Sequence, residues 1–321
     1  MNGISIVIPM FDEARHIVRT LKAARAAADA AELACELIVV DNGSRDEGPA
    51  LAEAGGARVL HQPGLYIGAL RNRGAATARY DSLAFLDADI EVPLDWLRQW
   101  TSRAERGDAD VLALACDTPR QAPWYARAWQ RRSLPAAAEQ RPSWLPSANL
   151  CLPRDAFEAA GGFNEQLRTG EDKDFGLRLH GLGARQLLLK SPSVLHWGYE
   201  ACWSEWFGKE LWRQGSHLQL LRTRAYAHWR LLRFPMLALS NWLPTLLALS
   251  SIVGGLLPLA LVFGAVSTAP ALLLSLRQSV RQGDPTLTLQ LWILHWLRLH
   301  LAGGAFLFSL FNWTARRPAR G

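Results

Sequence analysis

The first pattern in this chain that suggests chemistry is a pair of aspartates, Asp87 and Asp89, at the end of the apolar run that begins at Ser82. A short apolar run bounded by polar residues is typical of a buried strand in an α/β sheet, and ligands of such sheets bind beyond the carboxyl ends of the strands. Alternate residues at a strand end point the same way, so both carboxylates can face one cation. Oxygen ligands suit Mg²⁺ or Mn²⁺, usually together with substrate phosphates. The alternative is a pair of solvated or capping aspartates.

The elements that must position these carboxylates alternate along the first part of the chain. We predict strands at residues 4–8, 36–41, 58–61, 82–87 and 111–116, and helices at 13–31, 67–79 and 94–106. This alternation indicates βαβ units and a mainly parallel sheet. Residues 118–146 interrupt the pattern and are predicted to pass over the polar edge of the sheet. A turn at 161–165, a short helix at 172–180 and a late strand at 186–189 follow.

Composition excludes several classes of protein. With 20% charged and 50% apolar residues in 321 positions, disorder is not expected. The formal charge is +6, but the basic residues are spread along the chain and no nucleic-acid recognition motif is present, so we expect no nucleic-acid partner. The beginning of the chain does not resemble a cleaved signal peptide. The four cysteines, far apart in sequence, are predicted to be reduced thiols (Cys35, Cys116, Cys151 and Cys202).

The last third of the chain is apolar. Residues 236–266 contain no charged residue, and the mainly apolar run 287–311 is interrupted by His295, Arg298 and His300. We predict two membrane spans in domain 235–321. The alternatives are a re-entrant or interfacial pair of helices and a buried soluble helical subdomain. An arginine in the middle of a span indicates a bundle interior, a lipid head group or an interfacial helix. Basic residues precede the first run and follow the second. With two spans, both of these basic segments would lie on the cytoplasmic side.

The segment 201–234 connects this region to the α/β part. Its stretch Trp203–Gly215 combines aromatic and basic residues in an amphipathic pattern. Tryptophan side chains favour the membrane–water boundary, so we predict an interfacial helix. The alternative is a helix that packs on the soluble domain.

Six motifs in order resemble those of family 2 glycosyltransferases. They are the opening Pro9-Met-Phe-Asp-Glu13, the turn Val40-Asp-Asn-Gly-Ser-Arg-Asp46, Arg71-Asn-Arg-Gly74, Leu86-Asp-Ala-Asp89, Gly161-Gly-Phe-Asn-Glu165 and Glu171-Asp-Lys-Asp174. Together they cover roughly residues 1–200. Two positions depart from the family pattern, because Asp12 stands where Asn is usual and Asn42 stands where a second Asp is usual. Both departures leave the preference for base and sugar open.

The resemblance implies a GT-A fold, which is a Rossmann-like α/β sandwich, in residues 1–200. It also implies residue roles. The nucleotide-sugar would be bound by Pro9, Phe11, Glu13, Asp41, Arg71, Asn72 and Asp87, with Asp41 on the nucleobase and Arg71 on the diphosphate or on a motif acid. The metal ligands would be Asp89, Asp87 and His196. For several of these residues the alternative is structural: Asp41 as a turn residue, Glu13 and the pair Glu171 and Asp172 as partners of a helix dipole, and His196 as a core histidine.

The reaction implied is an inverting, metal-dependent sugar transfer from a nucleotide-diphosphate sugar to a lipid-linked or envelope-polysaccharide acceptor. A divalent cation stabilises the leaving diphosphate, and a base takes the proton of the acceptor hydroxyl. Asp172 is the candidate base, with Glu171 as the alternate. The resemblance is to bacterial membrane-associated members, with the catalytic domain in the cytoplasm. Alternatives are transfer to a polyprenyl phosphate, which needs no base, a nucleotidyltransferase, and a non-catalytic membrane protein that binds a sugar or nucleotide. Sugar, nucleotide, acceptor and oligomeric state are left open.

Overall fold

The computed structural model of the chain describes residues 3–135, 137–214, 232–279 and 283–313. The chain forms two compact units. The first, here called the sheet unit, comprises Met1–Gln121 and Ser133–Tyr199. The second, here called the helical unit, comprises Ala122–Arg132 and Glu200–Gly321.

The sheet unit contains one mixed sheet, with nine strands among the described residues. The strands are β1 Gly3–Met10, β2 Ala34–Asp41, β3 Arg58–His61, β4 Ser82–Leu86, β5 Ile90–Glu91, β6 Val111–Asp117, β7 Glu139–Gln140, β8 Asn149–Pro153 and β9 Gln186–His196. Their order is β3-β2-β1-β4-β8-β6-β9-β5, with β7 also paired to β9. The longest pairing, β1 with β2, is parallel and aligns Met10 with Asp41. The carboxyl ends of β1, β2 and β4 therefore lie at one edge.

Helices cover both faces of this sheet, which gives three layers. They are α1 Ile17–Ala30, α2 Gly48–Ala54, α3 Ile67–Thr77, α4 Trp96–Glu105, α6 Arg154–Ala159 and α7 Glu171–Gly181. One buried cluster combines alternate residues of β1, such as Ile4 and Ile6, with α1 and α4. The opposite cluster takes Val7 of the same strand together with α3, α6 and α7. The alternation follows from the two-residue period of a strand.

Gly74 allows α3 to approach the sheet closely. A Cβ atom at this position would overlap with the side chain of Val7 and lie 3.0 Å from Val40 Cγ2. The close approach holds α3, and hence Arg71 within it, against the strands that end at the polar edge. The predicted α/β sandwich is therefore confirmed.

The strand β8 was not predicted from sequence. It runs antiparallel between β4 and β6. The buried side chain of Asn149 accepts a hydrogen bond from Leu114 N at 2.6 Å and donates one to Leu114 O at 3.0 Å. A short segment that contains a proline and begins with an asparagine has weak strand propensity, so tertiary hydrogen bonding determines this strand.

The helical unit contains α5 Trp124–Arg131, α8 Trp203–Gln214, α9 Arg233–Val253, α10 Leu257–Ser279 and α11 Pro285–Trp313. Within the described residues, three helices are long and apolar enough to cross a membrane: Arg233–Val253, Leu257–Ser279 and Pro285–Phe308, with mean hydropathies of 1.5, 2.0 and 1.3. The structure thus differs from the two predicted spans. The predicted span 236–266 is divided at Gly254–Gly255, where Gly255 adopts a φ of 70° and the chain turns into α10.

The aromatic residues of α8 pack partly inside the helical unit. Trp206 is fully buried, with its ring centroid 5.7 Å from that of Trp129 in α5, and Trp203 lies 4.3 Å from Tyr125. The apolar side of α8 is therefore covered at these positions by other residues of the helical unit. The interfacial helix and the helix packed on the soluble domain both stay predictions. Residues 215–231 of the predicted segment 201–234 lie outside the described residues, as do the basic residues of the C-terminal flank.

Arg298, the arginine in the middle of α11, has a partner within the helical unit. Its Nε lies 3.2 Å from Oε2 of Glu210 in α8, and the Glu210 side chain is fully buried. The guanidinium also lies over the ring of Phe234 at 4.2 Å. A bundle interior, a lipid head group and an interfacial helix were the environments expected for this arginine. Its contacts are those of a bundle interior.

Candidate active site

A pocket of about 280 Å³ opens at the polar edge of the sheet unit. Its wall includes the residues that follow β1 and β4, together with Ile67 and Leu70 of α3. Of the predicted nucleotide-sugar residues, four line it: Pro9, Phe11, Glu13 and Asp87. Asp89 lines it as well. Phe11 is 49% exposed, which leaves an aromatic face at the mouth of the pocket.

Arg71 joins two of the predicted motifs in the interior of the site. Its side chain is 2% exposed, Nη2 lies 2.8 Å from Asp87 Oδ1, and Nη1 lies 2.7 Å from Glu171 Oε1. Burial alone would lower the pKa of this guanidinium, but the two carboxylates outweigh it and raise the pKa. Arg71 is therefore a permanent cation that ties the end of β4 to the start of α7. The resemblance implied either the diphosphate or a motif acid as the partner of Arg71. In the structure, Arg71 pairs with two motif acids, Asp87 and Glu171.

Glu171 and Asp172 lie in the first turn of α7. The helix follows Gly170, which has a φ of 80°. Burial raises the pKa of Asp172 to about 7, and the adjacent Glu171 carboxylate adds to the shift. Hydrogen bonding from Lys173 N and the charge of Arg71 act in the opposite direction. Asp172 can therefore exchange a proton near neutral pH, whereas Glu171 is held next to a buried cation.

Asp89 and His196 are brought together by the pairing of β5 with β9. Ile90 is aligned with His196, and His196 Nε2 lies 3.0 Å from Asp89 Oδ2. Neighbouring ligands of an octahedral ion at about 2.1 Å lie about 3.0 Å apart, so this oxygen and nitrogen have the spacing of two ligands of one cation. The Oδ1 atom of Asp87 accepts a hydrogen bond from Arg71. Among the described residues, no group of three or more potential ligands that could hold a metal converges. The site thus suits an ion that takes its remaining ligands from substrate phosphates and water.

Asp41 is a turn residue in this structure. Its buried carboxylate accepts hydrogen bonds from Gly43 N at 3.2 Å and from Ser44 N at 3.1 Å, and His61 Nδ1 lies 3.2 Å away. Burial alone would raise the pKa of Asp41, but these hydrogen bonds lower it overall. Asn42, the next residue, lines the pocket. Asp41 thus stabilises the turn after β2, and its predicted role on the nucleobase stays a prediction.

The two departures from the family pattern have structural explanations. The Asn42 amide donates to Leu65 O at 3.1 Å and its oxygen accepts from Leu65 N at 3.0 Å. An ionised aspartate has no donor and can make only one of these bonds. Asp12 has a φ of 54° and accepts from Arg45 N at 2.7 Å. Asp and Asn both tolerate this left-handed conformation.

Asn72 does not line the pocket, although it was predicted to bind the nucleotide-sugar. Its amide donates to Phe163 O at 2.8 Å and accepts from Phe163 N at 2.9 Å. It also donates to Glu165 at 3.0 Å. The Arg-Asn motif therefore has two structural targets: Arg71 binds acids of the site, and Asn72 fixes the Gly-Gly-Phe-Asn-Glu turn against α3.

Asn42 was not predicted to line the pocket. Three residues next to the Asp89–His196 pair were also missed: Arg19, Glu91 and Trp197 contact one another there. The strand β9 was predicted to end at 189 but continues to His196. Its extension is what brings the histidine and the following tryptophan to Asp89.

Comparison with known proteins agrees with this geometry. The family model described as glycosyl transferase family 2 matches residues 5–162, a segment that holds most of β1, all of β2 to β8, and Arg71, Asp87 and Asp89. The chain belongs to glycosyltransferase family 2.

Two relatives show how far the similarity extends. A pre-mycofactocin glycosyltransferase of Mycobacterium tuberculosis is 26% identical over 66% of this chain and 46% of its own length. An undecaprenyl-phosphate 4-deoxy-4-formamido-L-arabinose transferase of Pseudomonas paraeruginosa is 30% identical over 43% of this chain and 42% of its own length. The chain thus spans less than half the length of these curated relatives.

Solved structures support the fold. The mannosyltransferase PcManGT from Pyrobaculum calidifontis, in complex with GDP-Man and Mn²⁺, superposes with a TM-score of 0.59 at 15% identity and covers 95% of this chain and 87% of its own. S. aureus TarS 1-349 in complex with UDP-GlcNAc gives a TM-score of 0.51 at 15% identity and covers 99% and 93% of the two chains. At this level of identity the likeness establishes a common GT-A architecture.

Proposed function

We propose that this family 2 glycosyltransferase transfers a sugar from a nucleotide-diphosphate sugar to a hydroxyl of a lipid-linked or envelope-glycan acceptor, with inversion and with Mg²⁺ or Mn²⁺. The observation that carries the proposal is the arrangement of Arg71 between Asp87 and Glu171. It supports the proposal because Arg71 links the start of α7, which carries the candidate base, to the Asp87 carboxylate that lines the pocket.

Donor binding is assigned to the pocket at the polar edge. Phe11 offers an exposed ring for stacking, and Asn42 lines the same pocket. Asp89 and His196, with the Asp87 carboxylate nearby, would hold the cation together with the diphosphate oxygens. The cation, when bound, would act as a Lewis acid that stabilises negative charge on the departing diphosphate.

Asp172 is assigned as the general base. As the acceptor oxygen forms its bond to the anomeric carbon, Asp172 takes the hydroxyl proton. The bond from that carbon to the diphosphate breaks, and the diphosphate leaves with the electron pair. Attack opposite the leaving group inverts the anomeric centre. The raised pKa of Asp172, due first to burial, suits a base at neutral pH. Glu171 is held by Arg71 at 2.7 Å, so Asp172 is the acid of the pair that we assign to proton transfer.

A second candidate function is transfer to a polyprenyl phosphate, which the similarity to an undecaprenyl-phosphate transferase favours. A phosphate acceptor is already ionised and needs no base. The two functions therefore differ in what they require of Asp172 and agree on the donor site.

Membrane association is proposed from the three apolar helices. Their span-length windows are 17%, 22% and 39% buried, so most of their apolar surface lies open for lipid. We place the protein at the bacterial cytoplasmic membrane, with the sheet unit on the cytoplasmic side, where nucleotide-sugars are available.

The test uses the full chain, purified in detergent. Thermal shifts with UDP-, GDP- and dTDP-sugars in the presence of Mn²⁺ identify the donor. Product formation is then measured with lipid-linked acceptors, and Asp89→Ala should remove both turnover and Mn²⁺-dependent nucleotide binding, since a lost Lewis acid costs several kcal/mol. Turnover that persists in EDTA with Asp89 replaced would refute the metal role.

A further inference from the structure

The segment after β9 carries a contact that neither the family motifs nor the pocket explains. Trp197 immediately follows His196, and its indole is held on two sides. The guanidinium of Arg19 in α1 lies 3.7 Å from the ring centroid. The indole Nε1 donates to Glu91 Oε2 at 2.6 Å. Arg19 and Glu91 in turn lie 3.8 Å apart, so the three side chains form a closed set.

This set lies next to the candidate cation ligands in both sequence and space. Glu91 follows Asp89 by two residues in the chain and belongs to β5. The backbone N–H of Trp197 donates to the carbonyl of Asp89 at 2.8 Å, which continues the pairing of β5 with β9. Trp197 therefore contacts the aspartate's own backbone, while the histidine that precedes it contacts the aspartate's carboxylate at 3.0 Å.

Gly198 completes the enclosure of Asp89. A Cβ atom at position 198 would overlap with Asp89 Oδ2, so the chain passes directly over that carboxylate oxygen. A shift of the segment 196–198 would move the histidine and the backbone at Gly198 together. Within this segment, the Trp197 side chain is held by both a cation–ring contact at 3.7 Å and a hydrogen bond at 2.6 Å.

We propose that Trp197 is a positioning residue for divalent-cation binding: held between Arg19 and Glu91, it keeps His196 and Gly198 in place against Asp89. The proposal rests on the proposed function, in which Asp89 and His196 bind the cation. Partners beyond the direct ligands orient those ligands, and their loss typically weakens metal affinity 10- to 100-fold.

The experiment measures Mn²⁺ affinity directly, by the loss of the free-ion EPR signal, for the full-length protein in detergent without turnover. Mn²⁺ is titrated alone and with UDP or GDP. Trp197→Phe keeps a ring for Arg19 but loses the donor to Glu91, and we expect Mn²⁺ affinity to fall about 10-fold. Trp197→Leu removes both contacts, and we expect a loss toward 100-fold.

A double-mutant cycle links the effect to the indole–carboxylate contact. Glu91→Ala should weaken Mn²⁺ affinity about as much as Trp197→Phe, and the double variant should show no further loss, because both changes remove the same contact. Trp100→Phe is the matched control. It makes the same chemical change in α4, where Trp100 is fully buried, so it should lower the melting temperature while leaving Mn²⁺ affinity within twofold.

The outcomes separate this proposal from the proposed function. If Asp89→Ala abolishes Mn²⁺ binding while both Trp197 variants, folded by circular dichroism, bind Mn²⁺ like the parent, the positioning role is wrong and the metal role stands. If the Trp197 variants lose melting temperature alone, as Trp100→Phe does, the role is also wrong. A parent protein that binds no Mn²⁺, with or without nucleotide, would refute the metal-dependent function and the positioning role together.

Discussion

The proton on Asp172 offers the sharpest test of the proposed chemistry. Burial raises the pKa of this carboxyl from 3.8 to about 7. At pH 6, about one-tenth of the molecules would then have the ionised base, against nearly all of them for an aspartate of ordinary pKa. We expect kcat/KM for the donor, which reports groups of the free enzyme, to rise about tenfold per pH unit below pH 7 and to level off above it.

Substitution should remove both the rate and its pH dependence. Asp172→Asn keeps the shape of the side chain but cannot take a proton, so turnover should fall about 10²–10⁴-fold and the remaining rate should be flat across this range. Asp155→Asn is the matched control, because Asp155 also lies in the first turn of a helix and also accepts from the next backbone N–H, at 2.6 Å, as Asp172 does at 2.7 Å. It should keep the parent profile.

The neighbours of Asp172 predict opposite shifts of the profile. Glu171 raises the pKa of Asp172 and Arg71 lowers it. Glu171→Gln should therefore move the rise in rate to lower pH, and Arg71→Met should move it to higher pH. The assay is initial-rate product formation between pH 5 and 9, with donor binding followed separately. A profile that is flat in the parent, or that shifts in the same direction in both variants, would contradict the assignment. A loss of only a few-fold in Asp172→Asn would favour the phosphate acceptor.

Three further results are expected. Arg71→Met should lower the free energy of unfolding by about 3–5 kcal/mol in urea, because it leaves Asp87 and Glu171 without their buried cation, and an unchanged denaturation midpoint would contradict the bridging role. Asn42→Asp should cost about 1–3 kcal/mol above pH 5, since Leu65 O loses its donor; an equal midpoint at pH 7 would show that this bond contributes nothing. The full-length chain should stay in the membrane fraction after an alkaline carbonate wash and enter solution with detergent, whereas release by carbonate alone would contradict membrane insertion of α9 to α11.

The sheet and its helices could be predicted because local pattern and tertiary structure agree there. The strand at 58–61 has the predicted bounds, and the helix at 67–79 differs from α3 only at its end. The strand β8 could not be predicted, because its pairing depends on the hydrogen bonds of Asn149 to Leu114 across the sheet. The extension of β9 to His196 was missed for a similar reason: its register is set by β5 and β6 rather than by its own composition.

The motifs were a good guide to which residues lie near the site. They were a poorer guide to what each of these residues contacts. Asp41 and Asn42 are adjacent, and only the structure shows that the aspartate holds the turn while the asparagine reaches the pocket. Arg71 and Asn72 are also adjacent, yet Arg71 contacts two acids whereas Asn72 contacts the turn at Phe163. Spacing along the chain fixes the end of a strand or the start of a helix. The direction of each side chain depends on partners far away in sequence, as Glu171 lies 100 positions from Arg71.

The central arginine of α11 shows how a membrane assignment depends on a contact that composition does not contain. The helix that contains Arg298 is the least apolar of the three, with a mean hydropathy of 1.3. Paired with the fully buried Glu210 at 3.2 Å, Arg298 adds little net charge, and a paired arginine that faces a bundle interior is compatible with lipid around the helix. Three crossing helices would then place the two basic flanks on opposite sides, whereas the two predicted spans placed them on one. We therefore propose that the basic residues before α9 set the orientation of this bundle, because basic residues close to the first span usually dominate insertion.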